Sequence, residues 1–71
     1  MFIRLQETDG TQLLLRTEVI TLVRSSSTED RKSDPAVASI VELNDGGSYF
    51  LINDFDYISM KLGVGDTIYE A

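Results

Sequence analysis

Apolar and polar positions follow the same pattern twice along this chain: an apolar run, an Asp-Gly turn, a second apolar run, then a polar or acidic step. The first copy spans residues 3–19 and turns at Asp9-Gly10, and the second spans residues 40–55 and turns at Asp45-Gly46. An Asp-Gly pair between apolar runs is a strong hairpin signal, because glycine adopts the positive φ that the turn requires. The pattern therefore predicts two β-hairpins.

The turn length sets which side chains share a face of each hairpin. A two-residue turn would place Ile3 opposite Arg16 and so mix apolar with charged partners. A slip of one residue moves every side chain to the other face, so the register that segregates apolar residues is favoured. A three-residue turn that ends in a glycine bulge achieves this segregation. It predicts these pairs: Ile3 with Leu15, Leu5 with Leu13, Val41 with Tyr49 and Glu42 with Ser48.

Two further segments lie between the hairpins. The run Val19–Val23 is rich in β-branched residues and predicts a strand, preceded by a short turn at Thr17-Glu18. Residues 24–36 are polar, without a hydrophobic period, and predict a mobile loop that joins two strands.

A short helix is predicted near residues 54–62. Asn53 is a favoured N-cap residue, and acidic side chains at Asp54 and Asp56 suit the positive end of the helix dipole. Gly63 is a natural stop. The tail after this helix, residues 64–71, is expected either to form a last short strand through Thr67–Tyr69 or to be loose, and the strand is favoured.

These elements predict a single domain over residues 1–71, of α+β class and mainly β. The expected fold is a small curled antiparallel sheet, or partial barrel, of about five strands with one short helix. The predicted strands are apolar on both faces, and one short helix covers only part of one face. Burial of the second face by another chain is therefore expected, which favours a homo-oligomer. Its contact residues are predicted to be Leu14, Ile20, Leu22, Phe50 and Ile52, with Ile40 on the same outer face.

Composition narrows the chemistry. The chain has 71 residues and neither cysteine nor histidine, so disulfides, thiolate metal sites and the commonest general base are excluded. We expect no cofactor, no metal and no enzymatic activity. The side chains of Asn53, Asp54 and Asp56 are read as a helix cap rather than a cation site, and the Asp-Gly pairs as turns. Ser25–Ser27 is read as part of a solvated loop.

Charge also limits the partners. The formal net charge is −6, and residues 36–71 carry only one basic side chain, Lys61. Phosphate binding needs clustered Lys and Arg, so direct nucleic-acid binding is not expected unless the remaining cations converge on one face. Those cations are Arg4, Arg16, Arg24, Arg31 and Lys32. No signal peptide or membrane-spanning run is visible, and the expected location is the cytoplasm.

Two stretches resemble a known family. Residues 5–23 and 38–62, with an apolar strand, an Asp-Gly turn, further strands and a short helix, resemble the small flagellar FlbD/SwrD family. The hairpin and helix of the second stretch are also similar to LytTR-type DNA-binding domains. The polar insertion at residues 24–36 is longer than the FlbD pattern, and the acidic C-terminal half differs from a LytTR DNA surface. The resemblance assigns no functional residue.

The sequence thus favours a non-catalytic interaction or assembly module that acts through an apolar sheet face and a strand edge. The alternative is an acidic decoy or inhibitor of the kind that phages encode, which imitates a phosphate backbone for a basic partner. The carboxylates proposed for that role are those of Asp45, Asp54, Asp56, Asp66 and Glu70.

Overall fold

The computed structural model describes residues 1–63, and these form an α+β fold that is mainly β, as predicted. The elements in chain order are strands β1 (Phe2–Gln6) and β2 (Gln12–Arg16), a 3₁₀ turn (Thr17–Val19), strand β3 (Ile20–Ser25), helix α1 (Thr28–Ser33), strands β4 (Ser39–Leu43) and β5 (Ser48–Leu51), and helix α2 (Phe55–Leu62). Strands β1 and β2 form one antiparallel sheet, and β3, β4 and β5 form a second in that order. Within residues 1–63 the two sheets do not close into a barrel. The strand predicted at Thr67–Tyr69 lies outside the described residues.

Both hairpins have the predicted register. In the β1–β2 hairpin Ile3 pairs with Leu15 and Leu5 with Leu13, and in the β4–β5 hairpin Val41 pairs with Tyr49 and Glu42 with Ser48. Apolar side chains therefore share one face of each hairpin, and the bulged-turn prediction is confirmed.

The two turns are built alike. Gly10 and Gly46 have φ values of 97° and 90°, a region that side chains other than glycine rarely occupy. The carboxylate Oδ1 of Asp9 accepts a hydrogen bond of 2.8 Å from Thr11 N, and Asp45 Oδ1 accepts one of 2.8 Å from Gly47 N. The aspartate therefore holds the backbone two residues ahead while the glycine supplies the unusual φ.

The two sheets meet where β1 and β5 end. Glu7 and Leu51 form an isolated antiparallel bridge, and Ile52 N donates to the carbonyl oxygen of Gln6 at 3.0 Å. Asn53 Oδ1 accepts a hydrogen bond of 2.7 Å from Gln6 N. Asn53 is therefore not the helix N-cap that the sequence predicted, because its side chain is used to join the sheets.

Asp54 caps α2 instead, since its Oδ1 accepts a hydrogen bond of 2.7 Å from Tyr57 N. The helix ends at Gly63, which has the left-handed φ of 72° expected of a C-terminal glycine. Ile58 is fully buried on the helix face that meets the core. The core cluster consists of Ile3, Leu5, Val41, Leu51 and Ile58.

The segment 24–36 differs from the predicted loop. Strand β3 continues to Ser25, and α1 follows after two residues. Ser27 and Asp30 form a capping box, in which each side chain accepts a hydrogen bond from the backbone of the other residue. Helix α1 buries none of its residues, so local capping rather than packing accounts for it. Neither helix within residues 1–63 is long and apolar enough to cross a membrane.

Candidate interaction surface

The three-stranded sheet has one face toward the core cluster and a second face that we call the outer face. Cross-strand partners share a face, because side chains alternate along each strand. The register therefore places one row of Arg24, Ile40 and Phe50 on the outer face, and a neighbouring row of Leu22, Glu42 and Ser48. The row of Val23, Val41 and Tyr49 lies on the core side.

Apolar side chains occupy the middle of the outer face. Ile40 is 1% exposed, whereas Leu22 and Phe50 on the flanking strands are 43% and 40% exposed. The register brings Phe50 directly beside Ile40 and places Leu22 diagonally across from it. The result is a surface with a buried apolar centre and half-exposed apolar flanks. Leu22 and Phe50 lie on the outer face, as predicted, and their contact with another chain stays a prediction.

The other predicted contact residues lie in different places. Ile52 follows β5 directly and is exposed, so it extends the strand that carries Phe50. Leu14 is 64% exposed, but it pairs with Arg4 on the β1–β2 sheet. The predicted set is therefore divided between two sheets.

Ile20 was predicted on the outer face, and this prediction is wrong. Its side chain is half-buried and packs against the core cluster. The pairing of β3 with β4 shifts between Ile20 and Leu22, so that Thr21 is an extra residue on β3. A bulge of this kind reverses the alternation of faces, and Ile20 therefore lies on the core side while Leu22 lies outside.

Three exposed apolar side chains were not predicted from the sequence: Met1, Phe2 and Met60. Phe2 pairs with Arg16 on the same side of the β1–β2 sheet as Leu14, and Met60 is exposed on α2. For Phe2 the signal was present: it precedes Arg4 by two residues and alternates with the buried Ile3. Met60 lies two residues after the buried Ile58, so helical spacing places it on a different face of α2.

The basic side chains lie on several different elements. Arg24 donates to Asp30 Oδ2 at 2.9 Å, and Lys32 lies 3.4 Å from Glu29 Oε1. Arg31 donates to the carbonyl oxygen of Ser26 at 2.8 Å. Arg24, Arg31 and Lys32 are thus engaged by groups in or beside α1. Arg4 and Arg16 lie instead on the β1–β2 sheet, where they alternate with Leu14 and Phe2.

Hydrogen bonds perturb the acidity of Asp30. The backbone N–H of Ser27, the Arg24 guanidinium and the Ser27 hydroxyl all donate to this carboxylate, and they lower its pKa from 3.8 to about 2. The first of these has the largest effect. In the same way, donation from Thr11 lowers the pKa of Asp9. These carboxylates stabilise turns and caps and are not arranged around a cleft.

The carboxylates proposed for the decoy function lie in different parts of the chain and do not form one group among residues 1–63. Asp45 and Asp54 each accept a backbone hydrogen bond, in a turn and in a helix cap. Asp56 lies in the first turn of α2. Asp66 and Glu70 lie outside the described residues. No group of three potential metal-ligating side chains occurs among residues 1–63.

Two shallow grooves flank α2. One of about 310 Å³ lies between α2 and β3 and is lined mainly by apolar side chains, among them Ile20, Leu22, Phe55 and Leu62. The other, of about 320 Å³, lies beside β1 and is lined by Phe2, Ile3, Arg4, Tyr57 and Lys61. Lys61 Nζ is 5.6 Å from the centre of the Tyr57 ring, within range of a cation–π interaction. Neither groove holds a nucleophile paired with a base.

Comparison of the chain with known protein families, with curated proteins and with solved structures finds no match. The resemblance to the small flagellar family and to LytTR-type domains remains a prediction.

Proposed function

We propose that this chain is a non-catalytic protein–protein interaction module whose contact surface is the outer face of the β3–β4–β5 sheet. The observation that carries the proposal is the arrangement of Leu22 and Phe50, half-exposed on either side of the buried Ile40. Water-exposed apolar side chains that cluster on one sheet face are typical of a surface that another protein covers. Ile52 extends this surface beyond the end of β5.

The free energy gained by covering the outer face is smaller than the cost of association, so a second contact is needed. Covering the exposed part of each of these side chains contributes on the order of 1 kcal/mol. Association itself costs roughly 4–15 kcal/mol in lost translational and rotational freedom. The three exposed apolar side chains of this surface, Leu22, Phe50 and Ile52, are therefore too few for a tight complex by themselves. Hydrogen bonding along an open strand edge would supply further binding energy, and a homo-oligomer is the simplest assembly that provides it.

Light scattering and sedimentation on the purified chain test this function. The wild type is expected to associate in a concentration-dependent way. Phe50→Gln and Leu22→Gln should each shift the equilibrium toward monomer, because they replace apolar contact area with a polar group. Met60→Gln is the matched control, since Met60 is exposed on α2 and is not part of the β3–β4–β5 sheet. Equal effects of Met60→Gln and Phe50→Gln would contradict the proposal.

Salt separates this function from the acidic decoy. Apolar association persists or strengthens as salt is raised, because screening does not weaken burial of apolar surface. A complex between acidic side chains and a basic partner would dissociate with rising salt. Loss of a co-purifying basic protein in high salt, together with an unaltered monomeric chain, would favour the decoy.

A further inference from the structure

The open edges of the two sheets are not equivalent. The edge of β3 is interrupted by the extra residue Thr21. At the end of β1 the N–H and carbonyl groups of Gln6 are already bonded to Asn53 and Ile52. Strand β2 differs, because its pairing with β1 is regular and no hydrogen bond to its other edge is formed by residues 1–63. Bulges protect strand edges from pairing with other chains, and β2 has none.

The pairing pattern shows which groups of β2 point outward. Glu7 N donates to Thr11 O at 2.8 Å, and Thr17 N donates to Met1 O at 2.9 Å, so the odd-numbered residues of this hairpin form the hydrogen-bonded pairs. The even-numbered residues then direct their N–H and carbonyl groups away from the partner strand. On β1 the even-numbered Gln6 follows this pattern, because its N–H and carbonyl groups bond to Asn53 and Ile52 and not to β2. On β2 the outward-directed residues are Gln12, Leu14 and Arg16.

We propose that β2 pairs with β2 of a second copy of this chain, antiparallel and with the two-fold axis at Leu14. This inference names the partner and the edge for the assembly function proposed above, and it rests on that function. Peptides commonly bind by adding a strand to an open sheet edge, and a symmetric dimer requires the edge to complement itself. The sequence Gln12-Leu-Leu-Leu-Arg16 meets this requirement.

In this register every outward N–H and carbonyl group of β2 finds a partner. Leu14 faces Leu14 of the second copy, and Gln12 faces Arg16, so the amide oxygen meets the guanidinium and no like charges are opposed. On the other face Leu13 lies opposite Leu15 of the second copy. Both are half-buried in the single chain and would be covered further. A shift of two residues in either direction leaves one outward residue of each strand unpaired.

Cysteine cross-linking in the 71-residue chain tests the register directly, since its sequence contains no cysteine. A hydrogen-bonded antiparallel pair has a Cα separation of about 5.5 Å, which a disulfide spans. Leu14→Cys is therefore expected to form a disulfide-linked dimer under mild oxidation at low micromolar protein. Gln12→Cys alone and Arg16→Cys alone should cross-link poorly, because each cysteine lies about 13 Å along the strand from its copy. A mixture of the two should cross-link efficiently.

Met60→Cys, exposed on α2, measures chance collisions. The proposal is overturned if Leu14→Cys cross-links no better than Met60→Cys. It is equally overturned if the mixture cross-links no better than its components.

Leu14→Pro gives a test without oxidation. It removes an N–H that points away from β1, so the hairpin is kept, and circular dichroism verifies the fold. The dissociation constant of the dimer should rise at least about tenfold. An unchanged constant would overturn the edge pairing.

The two proposals fail separately. Specific cross-linking at Leu14 with no effect of Phe50→Gln would retain the edge dimer and reject the outer face. Association that depends on Phe50 and not on Leu14 would retain the outer face and reject the edge dimer.

Discussion

Asn53 Oδ1 accepts a hydrogen bond of 2.7 Å from the backbone N–H of Gln6, which lies 47 positions earlier in the chain. The carbonyl oxygen of Asn53 accepts a second bond of 2.7 Å from the hydroxyl of Ser39, a side chain that is fully buried. One residue therefore ties the end of β1 to the start of β4 and to the entrance of α2. This places a polar junction at the boundary between the two sheets.

Replacing Asn53 by alanine should destabilise the fold by about 1–3 kcal/mol, because the partly buried N–H of Gln6 loses its acceptor. Urea denaturation measures the change. Asn53→Asp keeps an acceptor oxygen and is expected to cost less. Asn44→Ala is the matched control, since Asn44 is exposed in a turn. A similar loss for both alanine variants would show that the Gln6 contact contributes nothing specific.

The turn glycines give a second prediction. A Cβ at Gly46 would meet nothing within 4 Å, so the cost of a substitution there arises from φ and not from crowding. Gly46→Val should therefore destabilise by about 1–3 kcal/mol, and Gly46→Asn by clearly less, because asparagine tolerates the left-handed region. Thermal and urea denaturation compare the two. Equal stability of Gly46→Val and wild type would contradict the positive-φ turn.

Gly47 in the same turn is a useful contrast, because its φ is not positive. A Cβ there would lie 3.1 Å from Asp45 Oδ1, which accepts the hydrogen bond from Gly47 N. Gly47→Ser therefore acts by displacing an exposed carboxylate. We expect it to cost less than Gly46→Val, and the reverse order would show that the carboxylate, not the backbone angle, holds the turn.

The titration of Asp30 gives a third prediction. Its pKa is lowered to about 2 from 3.8, so its contribution to stability is present above about pH 4 and is lost as the pH falls toward 2. Arg24→Met and Ser27→Ala each remove one side-chain donor and should raise this pKa. Both variants should still titrate below 3.8, since the largest effect comes from the backbone N–H of Ser27. Carboxyl chemical shifts in NMR report the value, and an ordinary pKa in the wild type would contradict the capping box.

The segment that contains α1 gives a fourth prediction. Replacing Thr28–Ser33 with a Gly-Ser linker should cost no more stability than the hydrogen bonds of Asp30 contribute, because α1 buries no side chain. Val37 after the helix is 2% exposed. Val37→Ala should therefore destabilise the fold by about 1–2 kcal/mol, more than the linker does. A larger loss from the linker than from Val37→Ala would show that α1 is packed against the sheet.

Local signals allowed the hairpins to be predicted in detail. The positive φ of Gly10 and Gly46 and the pairing of Ile3 with Leu15 follow from turn chemistry and alternation, which act over a few residues. The end of α2 at Gly63 was predictable for the same reason. The capping box of Ser27 and Asp30 was also visible in the sequence, but without an apolar period it did not stand out from a polar loop.

Two errors have tertiary causes. Asn53 and Asp54 are both good caps, and only the position of Gln6 decides that Asn53 joins the sheets while Asp54 caps the helix. Ile20 was assigned to the outer face by simple alternation, which the extra residue at Thr21 breaks. The outer-face position was therefore predictable for Leu22 and Phe50, on the far side of the bulge, and not for Ile20.

The division of the fold into two short-range hairpins bears on the rate at which it forms. Each hairpin closes over a few residues, a step that takes microseconds in isolated peptides. The Gln6–Asn53 bond instead closes most of the described chain into a loop, and loop-closure entropy makes such contacts late. We therefore expect turn substitutions to slow refolding, whereas Asn53→Ala accelerates unfolding and leaves the refolding rate nearly unchanged.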